Sequence, residues 1–281
     1  MSHLLTDALP DMKREIKFFP VKNDNPRTLT REQIRKFNES GYLCPLDVFT
    51  PEEAEANRRY FDDLMARAKA TGHHSYSINH WQLHCKGIYD LLHDRRILNY
   101  VEDTLGPNLV STMTHFFCKE SGDEKKVSWH QDASYWPLTP SKVVTVWLAI
   151  DDVGEDNAPM MVIPGSHLHG QIPFERSSEV EQNVLDQSVN DALDWGANPV
   201  AFTMKAGQIS IHTDLLLHGS EPNRSKRRRC GLTLRYMPPG VRTSEITHAN
   251  AYICRGEDPD RYWVNWSAPQ GEQIPEPRRP D

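Results

Sequence analysis

The stretch HGSEPNRSKRRRCGLTLRYM, His218 to Met237, joins a histidine at a turn to a run of alternating residues. Five basic side chains fall between positions 224 and 229, and a β-like run of small, branched and aromatic residues follows. Extended alternation sets Arg229, Gly231, Thr233 and Arg235 on one face, and Cys230, Leu232, Leu234 and Tyr236 on the other. The second face is apolar and suits a core. The first turns arginine inward, which is costly unless an anion meets it. A dicarboxylate gripped by the guanidinium fork is such an anion. Arg224, Lys226 and Arg227 read as a solvated basic turn instead.

A second polar stretch lies upstream, SWHQDASYWP, Ser128 to Pro137. In an extended chain His130 and Asp132 share a face, so both reach one ion from one strand. An HxD arises often by chance, and two ligands do not make a metal site. A second histidine would complete the facial triad of non-haem Fe(II) oxygenases. His212 and His218 both offer one; they are six residues apart and have the same facing in a regular strand, so periodicity does not choose between them.

Residues 1–28 mix proline, asparagine and charge and read as an extended arm. Helices follow in TREQIRKFNESGY, with Thr30 and Gln33 as a capping box, and in TPEEAEANRRYFDDLMARAKATG, with cap Thr50, Pro51 at the first helical position and a stop at Gly72. YDLLHDRRILNYVEDTLGP reads as one or two more, ending at Gly106. Beyond it LVSTMTHFFCK, VVTVWLAI, MMVIPG, GQISIH and CGLTLRYM are short, branched and aromatic, as strands are. Helices first and strands afterwards give an α+β fold, mainly β at its core, a sandwich or barrel within a single domain spanning 1–281. Residues 171–198 are polar and acidic, with too few regularly spaced aliphatics for a core of their own, and read as a lid open to cleavage near Ser177–Gln187. Residues 267–281 read as a loose tail.

Composition narrows the function. Lys+Arg 32 against Asp+Glu 39 leaves a net charge of -7, which disfavours nucleic-acid or anionic-membrane partners. Five cysteines without a CxxC pair argue against a disulfide framework or thiolate zinc site and fit a reducing cytoplasm. No signal peptide or membrane span is expected. The expected partner is a small molecule; composition does not address oligomeric state.

Residues 30–240 resemble the phytanoyl-CoA dioxygenase family of Fe(II)- and 2-oxoglutarate-dependent oxygenases. The likeness is carried by GPNLVSTMTHFFCKE, SWHQDASYWPLTPSKVVTVWLAIDD, MMVIPGSHLHG and HGSEPNRSKRRRCGLTLRY. The family pattern is HxD, a distal histidine, and an arginine eleven residues later. Here that is His130, Asp132, His218 and Arg229, which selects His218 over His212 and Arg229 over Arg235. The resemblance implies a double-stranded β-helix (a jelly-roll, cupin-like barrel) with the N-terminal helices packed on one sheet. It implies Fe(II) on the triad and 2-oxoglutarate on Arg229, with contacts from Ser220, Trp147 and His115, the last at a position of variable residue type. It further implies O2-dependent hydroxylation of an aliphatic C–H, with release of succinate and CO2. The carboxylate of Asp132 argues against halogenation, since halogenating relatives carry a small residue there. Ala158 stands where relatives commonly have glycine, at a turn expected to lie away from the ligands.

Asn79, His80 and His84 are candidates for the pocket mouth, and Tyr135 and Trp136 for substrate contact or core packing. His167 and His169 read as structural or exposed. The polar mouth leans towards a small polar substrate, amino-acid-like, a phosphonate or a natural-product intermediate. The alternatives are an acyl-CoA hydroxylase of the same family, a non-catalytic cupin-like metal binder, and a zinc hydrolase, for which no HExxH-type base is present.

Overall fold

Threonine caps launch the first two helices. Thr30 accepts from the backbone of Gln33 and is answered by the Gln33 side chain, starting α1 (Arg31–Ser40), which Gly41 ends at φ 84. Thr50 and Glu53 repeat the device at α2 (Pro51–Ala70), with Pro51 in the first turn. This helix stops at Thr71, one residue before the expected glycine. The third helical stretch is two helices, α3 (Lys86–Leu92) and α4 (Arg95–Leu105), divided where the Asp94 carboxylate caps the second. The computed structural model describes residues 4–177, 182–243 and 249–277. Among these, no helix is long and apolar enough to cross a membrane.

The fold is mixed and rich in sheet. A seven-stranded sheet runs in the order β1 (Tyr42–Asp47), β10 (Gln208–Thr213), β5 (Val144–Ala149), β12 (Arg229–Met237), β2 (Leu109–Lys119), β14 (Asn250–Arg255) and β15 (Val264–Asn265). A four-stranded sheet runs β3 (Val127–His130), β11 (His218–Ser220), β6 (Met161–Val162) and β9 (Val200–Ala201). Two short pairs complete it, β4 (Leu138–Thr139) with β13 (Arg242–Thr243), and β7 (Glu175–Arg176) with β8 (Gln187–Ser188).

Alternation gives the large sheet two different faces. Val144, Val146, Leu148, Ile209, Ile211, Leu232, Leu234 and Tyr236 pack with Phe61, Leu64, Ile88, Ile97 and Val101 of the helices in one apolar core. The intervening residues, Thr145, Trp147, His212, Arg229, Thr233 and Arg235, line a pocket on the other face. The layer of helices thus makes the second face the inner one.

Residues 171–198, expected to lack a core of their own, share one with the body: Ile172, Phe174, Val189 and Ala192 are buried with Ile163 and Leu217. Of the expected cleavage range Ser177–Gln187, residues 178–181 lie outside the described ones. The tail is fastened as far as it is described. Glu272 accepts from the Tyr60 hydroxyl at 2.7 Å and from Gly87 N at 2.7 Å, and its carbonyl accepts from Arg67 at 2.7 Å. The arm is irregular but docked, since Leu5 pairs with Phe174 and the Arg14 side chain is 1% exposed.

Gly231 sits on the inner row of β12, and a Cβ there would lie on the indole of Trp147. Gly231→Ala is therefore expected to destabilise the protein by about 1–3 kcal/mol through overpacking. Gly240→Ala, with nothing within 4 Å of its Cβ, is the neutral control. Urea denaturation of both variants checks this, and equal midpoints refute it.

Candidate metal centre

β3 ends on His130 and β11 begins on His218, and the two stand directly opposite each other in the register. Their rings lie 4.1 Å apart between centroids. His130 Nδ1–H donates to Ser128 O at 2.8 Å and His218 Nδ1–H to Leu216 O at 2.9 Å. A carbonyl only accepts, so each proton sits on Nδ1 and each Nε2 keeps a free lone pair. Those Nε2 atoms stand 3.8 and 4.0 Å from Asp132 Oδ1, too far for hydrogen bonds. The three ligand atoms lie within 4.8 Å of one another, all on buried residues. Two imidazoles and a carboxylate facing one point, with no proton between them, fit a first-row divalent metal such as Fe(II).

The chain braces this arrangement from behind. Asp132 Oδ2 accepts from the Thr145 hydroxyl at 3.0 Å. Gln131, between the two ligands, faces the other way, donating to Gly170 O and Leu215 O at 2.8 and 2.6 Å and accepting from Ile172 N at 2.7 Å. Arg14 of the arm donates to Ala133 O at 2.8 Å and Trp136 O at 3.0 Å, holding the turn that carries Asp132. Burial works to raise the Asp132 carboxyl, but Arg235 and the surrounding histidines hold it well below the usual range. Burial and then His218 push His130 down to about 3, which keeps its ring neutral.

His212 enters the same pocket from β10. Its ring is 4.8 Å from that of His218, and its Nε2 is 3.9 Å from Asp132 Oδ2, but it is not a member of the three-residue cluster. Neither ring nitrogen has a hydrogen-bond partner among the described residues.

At the other end of the pocket, Arg229 is 2% exposed. Its Nε donates to Ala158 O at 2.9 Å, and Trp147 lies under the guanidinium at 5.7 Å. Nη2 is buried and has no partner among the described residues. Ser220 and Trp147 line the same pocket. Lys119, which the sequence reading missed, pairs across from Arg229, and burial followed by the charge of Arg229 pushes its amine down to about 7. Ala158 closes a short turn, as expected, and its carbonyl holds the arginine. It adopts φ 59, a left-handed conformation that explains why glycine serves better there.

The remaining candidates scatter. His115 is tied through Nε2 to Tyr76 O at 2.9 Å and stacks on Phe117 at 4.2 Å, and it is not among the residues lining the triad pocket. Tyr135 lies edge-on to His130 at 5.9 Å, and Trp136 is buried with its ring 5.1 Å from the Arg235 guanidinium. Asn79, His80 and His84 line a separate cleft, with His73 and Pro275–Pro277. His167 is buried and bonds Asn38 O at 3.1 Å, while His169 packs on Trp195. A cleft of about 560 Å³ between the arm and the body gathers no comparable set of ligands among the described residues. Thr145 was legible, since it lies two residues before Trp147 in one strand; Arg14 and Ala158 O carry no sequence signal.

His130→Ala and His218→Ala are each expected to abolish measurable Fe(II) binding, whereas His212→Ala retains it; equilibrium dialysis decides, and the reverse pattern refutes the assignment. Ala158→Gly relieves a left-handed alanine, so it should stabilise the protein by about 1 kcal/mol. A lower melting temperature would contradict that.

The sequence matches the family described as Phytanoyl-CoA dioxygenase (PhyH) over residues 37–231, a range that includes His130, Asp132, His218 and Arg229. The peroxisomal phytanoyl-CoA dioxygenase of Bos taurus is 32% identical over 135 residues, 46% of this chain and 40% of that protein, so the match spans less than half of that relative's length. The "Probable alpha-ketoglutarate-dependent hypophosphite dioxygenase" of Stutzerimonas stutzeri is 29% identical over 228 residues, 73% of this chain and 77% of its own. Among solved structures, the non-heme monooxygenase ThoJ in its apo form superposes with TM-score 0.72 at 25% identity, covering 85% of this chain and 88% of that one. With the family match extending over well more than half its length, the chain belongs to the phytanoyl-CoA dioxygenase (PhyH) family.

Proposed function

We propose that the protein is a 2-oxoglutarate-dependent non-haem iron dioxygenase that hydroxylates a C–H of a small polar metabolite. One observation carries this reading: a buried His-Asp-His cluster shares its pocket with a buried arginine whose Nη2 has no partner among the described residues. The two sheets, with helices outside the larger, are read as the halves of a double-stranded β-helix. The names of relatives do not choose a substrate, because they include phytanoyl-CoA, hypophosphite and ectoine dioxygenases.

In this reading His130, Asp132 and His218 ligate Fe(II). With Fe(II) and 2-oxoglutarate bound, the site would activate O2 as the oxidant, 2-oxoglutarate giving up two electrons as it is converted to succinate and CO2. The chain's own work is positioning. Ser128 O and Leu216 O fix the tautomer and plane of the two imidazoles. The Thr145 hydroxyl holds Asp132 Oδ2, leaving Oδ1 for the metal. Arg229 pairs with the far carboxylate of 2-oxoglutarate through its free nitrogen, with Ser220 as a second donor and Trp147 as a wall against water.

Succinate formation is expected with Fe(II) and not with Zn(II); turnover with zinc, or none with either metal, sinks the reading. Arg229→Ala removes the partner of a buried carboxylate, a loss of roughly 3–5 kcal/mol. The 2-oxoglutarate Kd should then rise about a hundredfold or more, measured by calorimetry. Arg235→Ala should leave it nearly unchanged, and equal effects of the two would contradict the assignment.

A further inference from the structure

Arg235 is the second arginine that β12 turns inward, and it is 8% exposed. Its Nε is buried without a hydrogen-bond partner among the described residues, and it stands 4.0 Å from Asp132 Oδ2. That oxygen already accepts from Thr145. Arg228 illustrates what an arginine serving a carboxylate looks like, since its fork closes on Asp151 at 2.8 and 2.9 Å. Arg235 does not close on Asp132 in this way.

Three neighbouring strands build its surroundings. His212 on β10 pairs with Thr145 on β5, and Thr145 pairs with Arg235 on β12, so the three form one polar row across the inner face. His212 is 1% exposed with both ring nitrogens unpartnered among the described residues, and its Nε2 lies 3.9 Å from the same Asp132 oxygen. Trp136 covers the guanidinium from one side. Asp214, a further buried carboxylate, is engaged by Ser141 at 2.8 Å. Buried donors left without partners are costly and uncommon, and two of them converging on one place point to something that fills it.

Charge points the same way. On the dioxygenase reading, Fe(II) and Arg229 are balanced by Asp132 and the two carboxylates of 2-oxoglutarate. The Arg235 guanidinium is then left without a counter-charge.

We propose that His212, Thr145 and Arg235 form a seat for an anionic group of the substrate, a carboxylate or a phosphonate-like oxyanion, separate from the 2-oxoglutarate seat at Arg229. The substrate class is then a small anionic metabolite held by its charged end beside Asp132, with its carbon chain over the metal centre. This inference rests on the dioxygenase reading above.

The test reads binding rather than turnover. Protein loaded without O2 with Fe(II) and 2-oxoglutarate is titrated with trifluoroacetate, trifluoromethylphosphonate and neutral trifluoroacetamide, following the paramagnetic broadening of their 19F signals. The two anions should bind near the metal and the amide should not; the tighter anion identifies the group. Arg235→Gln should weaken anion binding roughly thirtyfold, Arg235→Lys less, and His212→Gln severalfold, while Fe(II) and 2-oxoglutarate bind as in the unmodified protein. The conservative Arg235→Lys and His212→Gln variants keep the test open if Arg235→Gln does not fold. Unchanged anion affinity in all three variants overturns the proposal. Loss of Fe(II) from Arg235→Gln also overturns it, by making Arg235 a support for Asp132, as does weakened 2-oxoglutarate binding. Failure of the unmodified protein to bind Fe(II) or 2-oxoglutarate sinks the dioxygenase reading itself, whereas normal loading without anion binding overturns this proposal alone.

Discussion

A carboxylate sealed inside the protein is the constraint on which the rest depends. Asp132 is 5% exposed, and its carboxyl is held well below the usual range although burial works to raise it. Burying such a charge is costly unless it is paired and hydrogen-bonded. Here the pairing is incomplete: Thr145 takes one oxygen, and the other faces two Nε2 lone pairs across gaps of 3.8 and 4.0 Å. A folded chain that tolerates lone pair against lone pair in its interior is built around a cation.

The inner row of the large sheet extends that logic. Across β10, β5 and β12 the register aligns His212, Thr145 and Arg235, and one step along it aligns Ser210, Trp147 and Thr233. Gly231 is the gap in the pattern, and the gap is filled by the indole of Trp147. The pocket is therefore a strip with an arginine at each end and the ligand cluster between the strands. Its opposite face is apolar and covered by helices, which fixes the register strongly, because a slip by one residue would exchange the two faces.

Segments far from the strip in sequence hold it in shape. Arg14 secures the turn after Asp132, and Gln187 of the 171–198 segment meets the hydroxyls of both Ser128 and Ser134. The arm and the insert share a small apolar cluster, so they support the metal turn together rather than separately. Supporting contacts of this kind orient ligands and tune the metal they hold.

The sequence by itself determined what is local. Caps at Thr30 and Thr50 marked two helices, and the alternation after Arg229 marked which residues face inward, because backbone capping and strand pleating act over a few residues. The HxD spacing was read as one strand; β3 in fact ends at His130, and the extended backbone of Gln131 leads to Asp132 at the start of a short turn. His212 and His218 could not be separated in this way, since facing is identical at both; the pairing of β11 with β3 brings His218 opposite His130. Nor was there any local trace of Ala158 O on Arg229, of Arg14 at the metal turn, or of the tail fastened by Glu272. These contacts join residues 71 to 185 positions apart, and only the chain's path in three dimensions, set by which apolar faces must be buried together, decides which distant donor meets which acceptor.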